Sequence, residues 1–338
     1  MANIDIFSLQ PNVVSRDLSG KSFLFYGQKK IGKTTNAAKF PKALILAFEK
    51  GYSLIPGVIA QPINKWVEAL KVKKQLLNDA DEVDAGKKPE TAFKTVVIDT
   101  ADIAYDLCEK YITDKEGVEY LDETESKRGY KATSREFDAF FQELAKAGYT
   151  IVIISHSDTV SIKENGEKYD RTQPTVTKRG MQIISRFVDV IGYATSEVNA
   201  AGKVEAVLYM RGSKELEAGS RNKYMSAKIP FTYDALLADM QQAIDKLEKE
   251  DGGVISDKPM DIYQDQSEEL DFEQVYETIK NIAMALNSAG KFDKYNKLVE
   301  KHLGRGKSVK ECTEAQVEIL GMLLEELKEL CEKESVEY

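Results

Sequence analysis

Nine consecutive residues, Gly27-Gln28-Lys29-Lys30-Ile31-Gly32-Lys33-Thr34-Thr35, carry the spacing G-x-x-x-x-G-K-T. Those residue types suit one ligand, a chain of phosphates. Gly27 and Gly32 let the backbone turn so that successive N–H groups face the anion. Lys33 offers a point charge to the outer phosphates, and the Thr34 hydroxyl can ligate Mg²⁺. A nucleoside triphosphate with Mg²⁺ is the expectation, and nothing in the loop separates ATP from GTP. Phosphoryl transfer to water also needs a carboxylate beside the metal and a group that orients the water. Asp99 fits the first need, at the end of Thr95-Val96-Val97-Ile98. Glu49 fits the second, because the residues after Asp99 are Thr100 and Ala101 rather than an acid. Duller readings exist for both: Asp99 as the N-cap of a helix, Glu49 as a loop cap paired with Lys50.

These groups must be positioned by elements, and the elements are legible. Ser22 to Tyr26 reads as a strand entering the loop, and Asn36 to Phe40 as the helix leaving it, stopped by Pro41. Ala43 to Phe48 and Thr95 to Ile98 are continuous apolar runs, as strands covered on both faces of a parallel sheet are. Thr150 to Ile154 is another, and it delivers Ser155-His156-Ser157 to the same edge as Asp99, where open parallel sheets bind ligands. Asn64 to Asn78 reads as an amphipathic helix. The stretch from Thr113 to Lys131 reads as a mobile excursion, followed by a capping-box start at Thr133-Ser134-Arg135-Glu136. Phe137, Phe140, Phe141 and Leu144 then follow at helical spacing and belong to a core. Asp158 to Gly180 reads as a second polar excursion, Phe187–Ala194 and Val204–Arg211 as late strands, and Ala235–Leu247 as a closing helix. The order predicts an α/β sheet with helices on both faces.

The expected organisation is residues 1–249 as the α/β domain, 250–271 as an acidic flexible linker, and 272–338 as a small helical module. Ile4, Ile6, Phe7 and Leu9 suggest that the N-terminal segment packs at home or on a neighbouring subunit. In the helical module a basic run from Lys291 to Lys310 separates two apolar stripes, and a solvated face is its plainest account. Composition removes several classes. No apolar run approaches the roughly 20 residues of a membrane span, so no membrane partner is expected. Cys108, Cys312 and Cys331 are too scattered for a metal pair and fit a reducing cytosol. With His156 and His302 as the sole histidines, a zinc centre is not expected. A net charge of −9 argues against a protein coated in nucleic acid, though not against a local basic surface.

With the phosphate loop, Phe48-Glu49-Lys50-Gly51, Asp99 and Ile153-Ile154-Ser155-His156 together, the chain resembles the RecA-like P-loop ATPases. It is similar in particular, over Ser22 to Leu247, to the RecA-core proteins of bacteriophages, described as Sak-type single-strand annealing proteins and phage AAA-family nucleotide-binding proteins. The resemblance implies Glu49 as the catalytic glutamate and His156 as the sensor of the γ-phosphate, with a buried core histidine as the alternative for the latter. It implies DNA-contacting loops carrying Lys163, Lys168, Arg171, Lys178 and Arg179, and another around Lys127, Arg128, Tyr130 and Lys131. Arg221 and Lys223 resemble cations that reach a neighbour's phosphates in a homo-oligomeric ring or filament; as surface charges they would need no neighbour. The implied protein is an ATPase of the host cytoplasm, stimulated by single-stranded DNA and promoting annealing or recombination. Two alternatives stay open: a helicase-loader or protein-remodelling ATPase, and a nucleotide-switched module whose helical tail recruits a single-strand-binding protein. The resemblance departs from full-length recombinases in that no substantial N-terminal oligomerisation domain is expected ahead of Ser22.

Overall fold

The computed structural model describes residues 13–164, 166–252, 254–256 and 270–338. They divide into an α/β unit, within Gln10–Gln264, and a helical unit, within Asp265–Tyr338. The N-terminal segment around Ile4 to Leu9 and most of the expected linker lie outside the described residues.

The first half of the α/β unit runs β1 (Val13–Ser15), β2 (Ser22–Gly27), α1 (Lys33–Ala37), β3 (Ala43–Ala47), β4 (Ile59–Pro62), α2 (Trp66–Asp84), β5 (Thr95–Asp99) and α3 (Ala101–Glu116). The second half runs α4 (Arg128–Lys146), β6 (Thr150–Glu164), β7 (Glu167–Pro174), α5 (Lys178–Phe187), β8 (Val190–Val198), β9 (Val204–Tyr209), β10 (Gly219–Ser220), β11 (Lys228–Pro230), α6 (Tyr233–Asp251) and β12 (Val254–Ser256). The main sheet has the order β11-β9-β8-β2-β6-β5-β3-β4. Its centre is parallel, with β2 between β6 and β8, and β5 between β6 and β3. The β8–β9 and β9–β11 pairs are antiparallel. This is the mostly parallel, doubly covered sheet that the apolar runs predict.

Alternate residues of each central strand feed two different cores. Leu24, Leu46, Ile151 and Ile153 face a core containing Trp66, Phe137, Phe140 and Phe141 from α2 and α4. Phe23, Phe25, Ile45, Val152 and Ile154 face the other, with Phe40, Leu236 and Met240. Burial on both faces explains why no polar alternation breaks these runs. The Trp66 and Phe140 rings lie 5.0 Å apart, and Phe137 stands edge-on to Phe141 at 4.9 Å. Truncating any of them to Ala would cost about 3–5 kcal/mol.

Several elements differ from expectation: α2 and α6 run past their expected ends, and the excursion from Thr113 to Lys131 holds the end of α3 and two 3-10 turns with Leu121 and Thr124 buried. Helix α1 ends at Ala37, not Phe40, because its next turn tightens: the N–H groups of Lys39 and Phe40 reach the carbonyls three residues back, at 3.2 Å each. Helix α4 begins at Arg128, ahead of the capping-box spacing. Thr133 and Ser134 cap nothing; their hydroxyls donate to the carbonyls of Gly129 and Tyr130, at 3.0 and 2.9 Å. Most of the polar stretch 158–180 is a long antiparallel ribbon, in which Ser157 faces Pro174 and Glu164 faces Glu167.

The helical unit packs α7 (Phe272–Ser288), α8 (Phe292–Leu303) and α9 (Val317–Glu334) around Ile279, Ile282, Leu286, Leu320, Leu323 and Leu327, each fully buried. Those are the two apolar stripes of the sequence. Much of the basic run is answered by α9: Lys294 sits 2.6 Å from Glu334 and Lys301 2.6 Å from Glu326, while Lys291 also pairs with Glu334. The two lysines hold Glu334 down to about 2.

Candidate nucleotide site

Register brings the chemistry to one edge. Gly27 at the end of β2 pairs with His156 on β6, Asp99 at the end of β5 pairs with Ile154 on β6, and Ala47 on β3 pairs with Asp99. The loop from Gly27 therefore opens beside Asp99, Glu49 and His156. Gly27 is demanded twice: its φ is +151°, and a Cβ would stand 2.0 Å from the carbonyl oxygen of Ala194. Gly32 and Lys30 also turn through positive φ, at 97° and 66°. Gln28, Lys29 and Lys30 lie exposed at the mouth, whereas Ile31 packs toward the core beside α1.

Lys33 is buried, and its ammonium donates to the carbonyls of Gly27 and Gln28 at 2.9 and 2.8 Å. Burial pulls its pKa below the ordinary value, opposed by the carboxylates of Asp99, Glu49 and Asp102. The Thr34 hydroxyl donates to Asp99 Oδ2 at 2.8 Å, so the two expected metal ligands touch. Thr35 follows on the same short helix and is exposed. Asp99 is 1% exposed, and burial pushes its pKa up to about 6 despite the Thr34 hydrogen bond. The carbonyl of Asp99 accepts from the N–H groups of Phe48 and Glu49, at 2.7 and 3.2 Å, which ties the segment before Gly51 to β5.

Two observations test whether a divalent cation suits this pair. Asp99 Oδ1 is buried without a hydrogen-bond partner, an acceptor that a cation would satisfy. A Cβ on Gly51 would lie 3.1 Å from Asp99 Oδ2 and 3.4 Å from Thr34 Oγ1, so glycine keeps the space beside the pair clear. Among the described residues no three His, Cys, Asp or Glu side chains gather as a metal set. A cation here would thus rest on Thr34, Asp99 and phosphate oxygens, the way Mg²⁺ is usually held with a nucleotide.

Glu49 and His156 meet at 3.4 Å between Oε2 and Nε2, both partly exposed, while His156 Nδ1 is buried without a partner. A residue that the sequence reading overlooks holds this corner. Asp102, in the first turn of α3, accepts from Ser155 Oγ at 2.9 Å and from the His156 N–H at 3.4 Å. It also accepts from Thr175 Oγ1, just past the end of β7. An acid three residues beyond Asp99 was the available signal, but its partners come from 53 and 73 residues away.

The expected nucleic-acid residues are scattered and unevenly free. Lys163 and Lys168 face each other across the tip of the ribbon, exposed. Arg171 is held by Glu217. Arg179 lies over the Tyr130 ring, 4.0 Å from its centroid, and Lys178 is exposed beside it. Arg128 pairs with Glu116 at 2.8 Å, and Lys127 and Lys131 flank it in solvent. Arg221 pairs with Asp189 at 2.9 Å and donates to the Arg186 carbonyl, while Lys223 pairs with Asp251 at 2.9 Å.

Residues 19–222, which span this whole site, match the family described as AAA domain. The chain belongs to the AAA domain family. It is also 31% identical to the SPbeta prophage-derived uncharacterized protein YorG of Bacillus subtilis (strain 168), over 97% of this chain and 98% of that one. Among solved structures it is similar to the KaiC-like protein PH0186 of Pyrococcus horikoshii OT3, at 12% identity and a TM-score of 0.33, covering 65% of this chain and 94% of that one. The strand order and the AAA family match carry the assignment of a P-loop nucleotide-binding fold. No helix among the described residues is long and apolar enough to cross a membrane.

Proposed function

We propose that the chain is a Mg²⁺-dependent ATPase that works on single-stranded DNA, promoting annealing or recombination in phage DNA metabolism. The observation that carries the ATPase part is the convergence of Lys33, Thr34, Asp99, Glu49 and His156 at one strand edge. ATP would lie along the backbone N–H groups of Gly27 to Thr35, with Lys33 exchanging its two carbonyl partners for phosphate oxygens. Thr34 and Asp99 would hold Mg²⁺, which when bound neutralises charge on the phosphates. Glu49 orients the attacking water and accepts hydrogen bonds from it. His156, in contact with Glu49, senses the γ-phosphate, and through Asp102 its strand end is tied to Thr175 at the base of the ribbon. The exposed Lys163 and Lys168 at the ribbon tip support a backbone contact with DNA, and the prophage provenance of the YorG relative supports the phage setting.

The test is ATP turnover by purified protein with and without single-stranded DNA, beside Lys33→Ala. Turnover that rises with DNA and vanishes in the variant is expected, with a stimulation that falls steeply with salt. The intramolecular pairings of Arg128, Arg171, Arg221 and Lys223 favour a second reading, a protein-remodelling ATPase. Turnover indifferent to DNA would select it.

A further inference from the structure

We infer that a groove in the helical unit docks an acidic peptide segment carrying apolar side chains, supplied by a partner protein. The groove, of about 630 Å³, lies between α7 and α8 and is lined as well by residues 307–310. That volume suits two or three side chains of an extended segment and is in the range of preformed ligand sites. Its floor is apolar and ordered: Ile279 is fully buried, and Tyr295, Val299 and Val309 are under 10% exposed. Its rim leaves Met284 55% and Phe292 38% exposed, a soft thioether and a ring of the kind that adapts to a peptide's apolar anchors. The Phe292 ring stacks on Tyr295 at 5.2 Å, so it presents an edge and one face rather than a free platform.

Charge decides the occupant. In a chain of net charge −9, the groove is lined by three lysines, Lys280, Lys307 and Lys310, and by no carboxylate. Lys280 shares its charge with Glu277, at 3.0 Å. Lys307 and Lys310 are exposed and make no ion pair among the described residues. They contrast with Lys291, Lys294 and Lys301, which carboxylates of α9 neutralise. An apolar floor lined with cations selects a ligand that carries both apolar and anionic side chains. A nucleic-acid backbone offers the reverse, since its phosphates would find nothing on the floor. The lysines steer and align the peptide, and the apolar anchors supply most of the affinity.

The test is fluorescence anisotropy of the full-length protein against an array of labelled nonapeptides, combining one to three Asp with one to three Leu or Phe in a Gly/Ser background. Binding in the micromolar range is expected for members with both features. It should weaken at least tenfold when Asp becomes Asn, in the Lys307→Glu/Lys310→Glu variant, and in Ala283→Trp, which fills the groove. Met284→Gln, an uncharged substitution at an exposed position that leaves the core intact, should weaken it too by removing the apolar contact, with circular dichroism confirming the fold of each variant. Lys33→Ala should bind peptide as the wild type does, which separates this surface from the nucleotide site. The inference is overturned if no array member binds below 100 µM, or if binding ignores the lysine variants. It is equally overturned if labelled oligo-dT occupies the groove in preference, or if sedimentation shows a dimer that Ala283→Trp dissociates.

Discussion

At the scale of single residues, the proposed role of Asp99 pulls it two ways: it is buried beside Thr34, and a carboxylate that holds a cation must be ionised. Its folded pKa, about 6, lies above the ordinary 3.8. Between those values the folded state keeps a proton that the unfolded chain has released, so this group's contribution to stability falls as pH rises from about 4 to 6. Above 6 the full penalty applies, on the order of 2–3 kcal/mol at most. Asp99→Asn should therefore be more stable than wild type in urea unfolding at pH 7.5, with the gain shrinking toward pH 4, and should lose Mg²⁺-dependent nucleotide binding by at least a hundredfold. An Asn variant no more stable at pH 7.5 would refute the assignment of that burial penalty. Because a metal ligand must shed its proton, the Mg²⁺ needed for half-maximal turnover should also climb as pH drops below about 6. Gly51 gives a cleaner probe of the same corner. Its missing Cβ would sit 3.1 Å from Asp99 Oδ2, so Gly51→Ala should leave nucleotide binding in EDTA within twofold and cut Mg²⁺-dependent turnover at least tenfold. Equal losses with and without metal would mean that the methyl disturbs the loop instead.

At the scale of elements, Asp102 ties three together: α3, the end of β6 and the end of β7. Asp102→Ala takes this acceptor from the His156 N–H and the Thr175 hydroxyl and leaves the Ser155 hydroxyl with the His156 carbonyl alone, at 3.1 Å, a cost of about 1–3 kcal/mol in thermal or urea unfolding. Beyond that structural cost, stimulation by single-stranded DNA should disappear while basal turnover stays within about threefold, and Asp102→Asn should restore part of the stimulation. If stimulation falls only in step with stability, Asp102 is a brace and nothing more. The ribbon can be tested alone, because Thr159 and Thr172 are cross-strand partners. Replacing residues 160–171 by Asn-Gly, a two-residue turn suited to the strand twist, should preserve nucleotide binding and remove the DNA effect. These are also the parts that the sequence hid. Strands β2, β3, β5 and β6 were legible because burial on both faces leaves an unbroken apolar run, and the phosphate loop because its glycines and lysine are fixed in spacing. The ribbon was hidden because both its faces are largely solvated, so Val160 and Ile162 stand among polar residues with no core to set a pattern. The start of α4 was hidden because Thr133 mimics a cap while its hydroxyl serves the preceding turn. Asp102 was hidden because its role exists only after β6 and β7 have folded beside α3.

At the scale of the whole molecule, each unit has a core of its own, and the nucleotide-site residues all come from the α/β unit. A chain ending at Ser256 keeps β12 paired with β1 and every side chain named in that site, and it keeps the Asn36 amide that donates to the Phe231 carbonyl at 3.0 Å and fixes α1 against the entry to α6. It also keeps Lys223 beside Asp251. Such a chain should bind nucleotide with an affinity within twofold of the full protein and unfold in one cooperative transition. It should also retain the Mg²⁺ dependence proposed for Asp99. The helical unit is small enough that its core supplies only a few kcal/mol, and its salt bridges to Glu334 and Glu326 are surface pairs of little worth each. In the full chain it should therefore melt first, at a temperature that nucleotide does not raise, while the later transition of the α/β unit shifts upward with nucleotide as mass action requires. Differential scanning calorimetry with and without ATP and Mg²⁺ distinguishes the outcomes. Two transitions, of which only the later moves, fit independent units joined for different binding tasks. A single transition that moves as one would mean that the helical unit takes part in nucleotide binding, and the truncated chain would then lose affinity in the same measure.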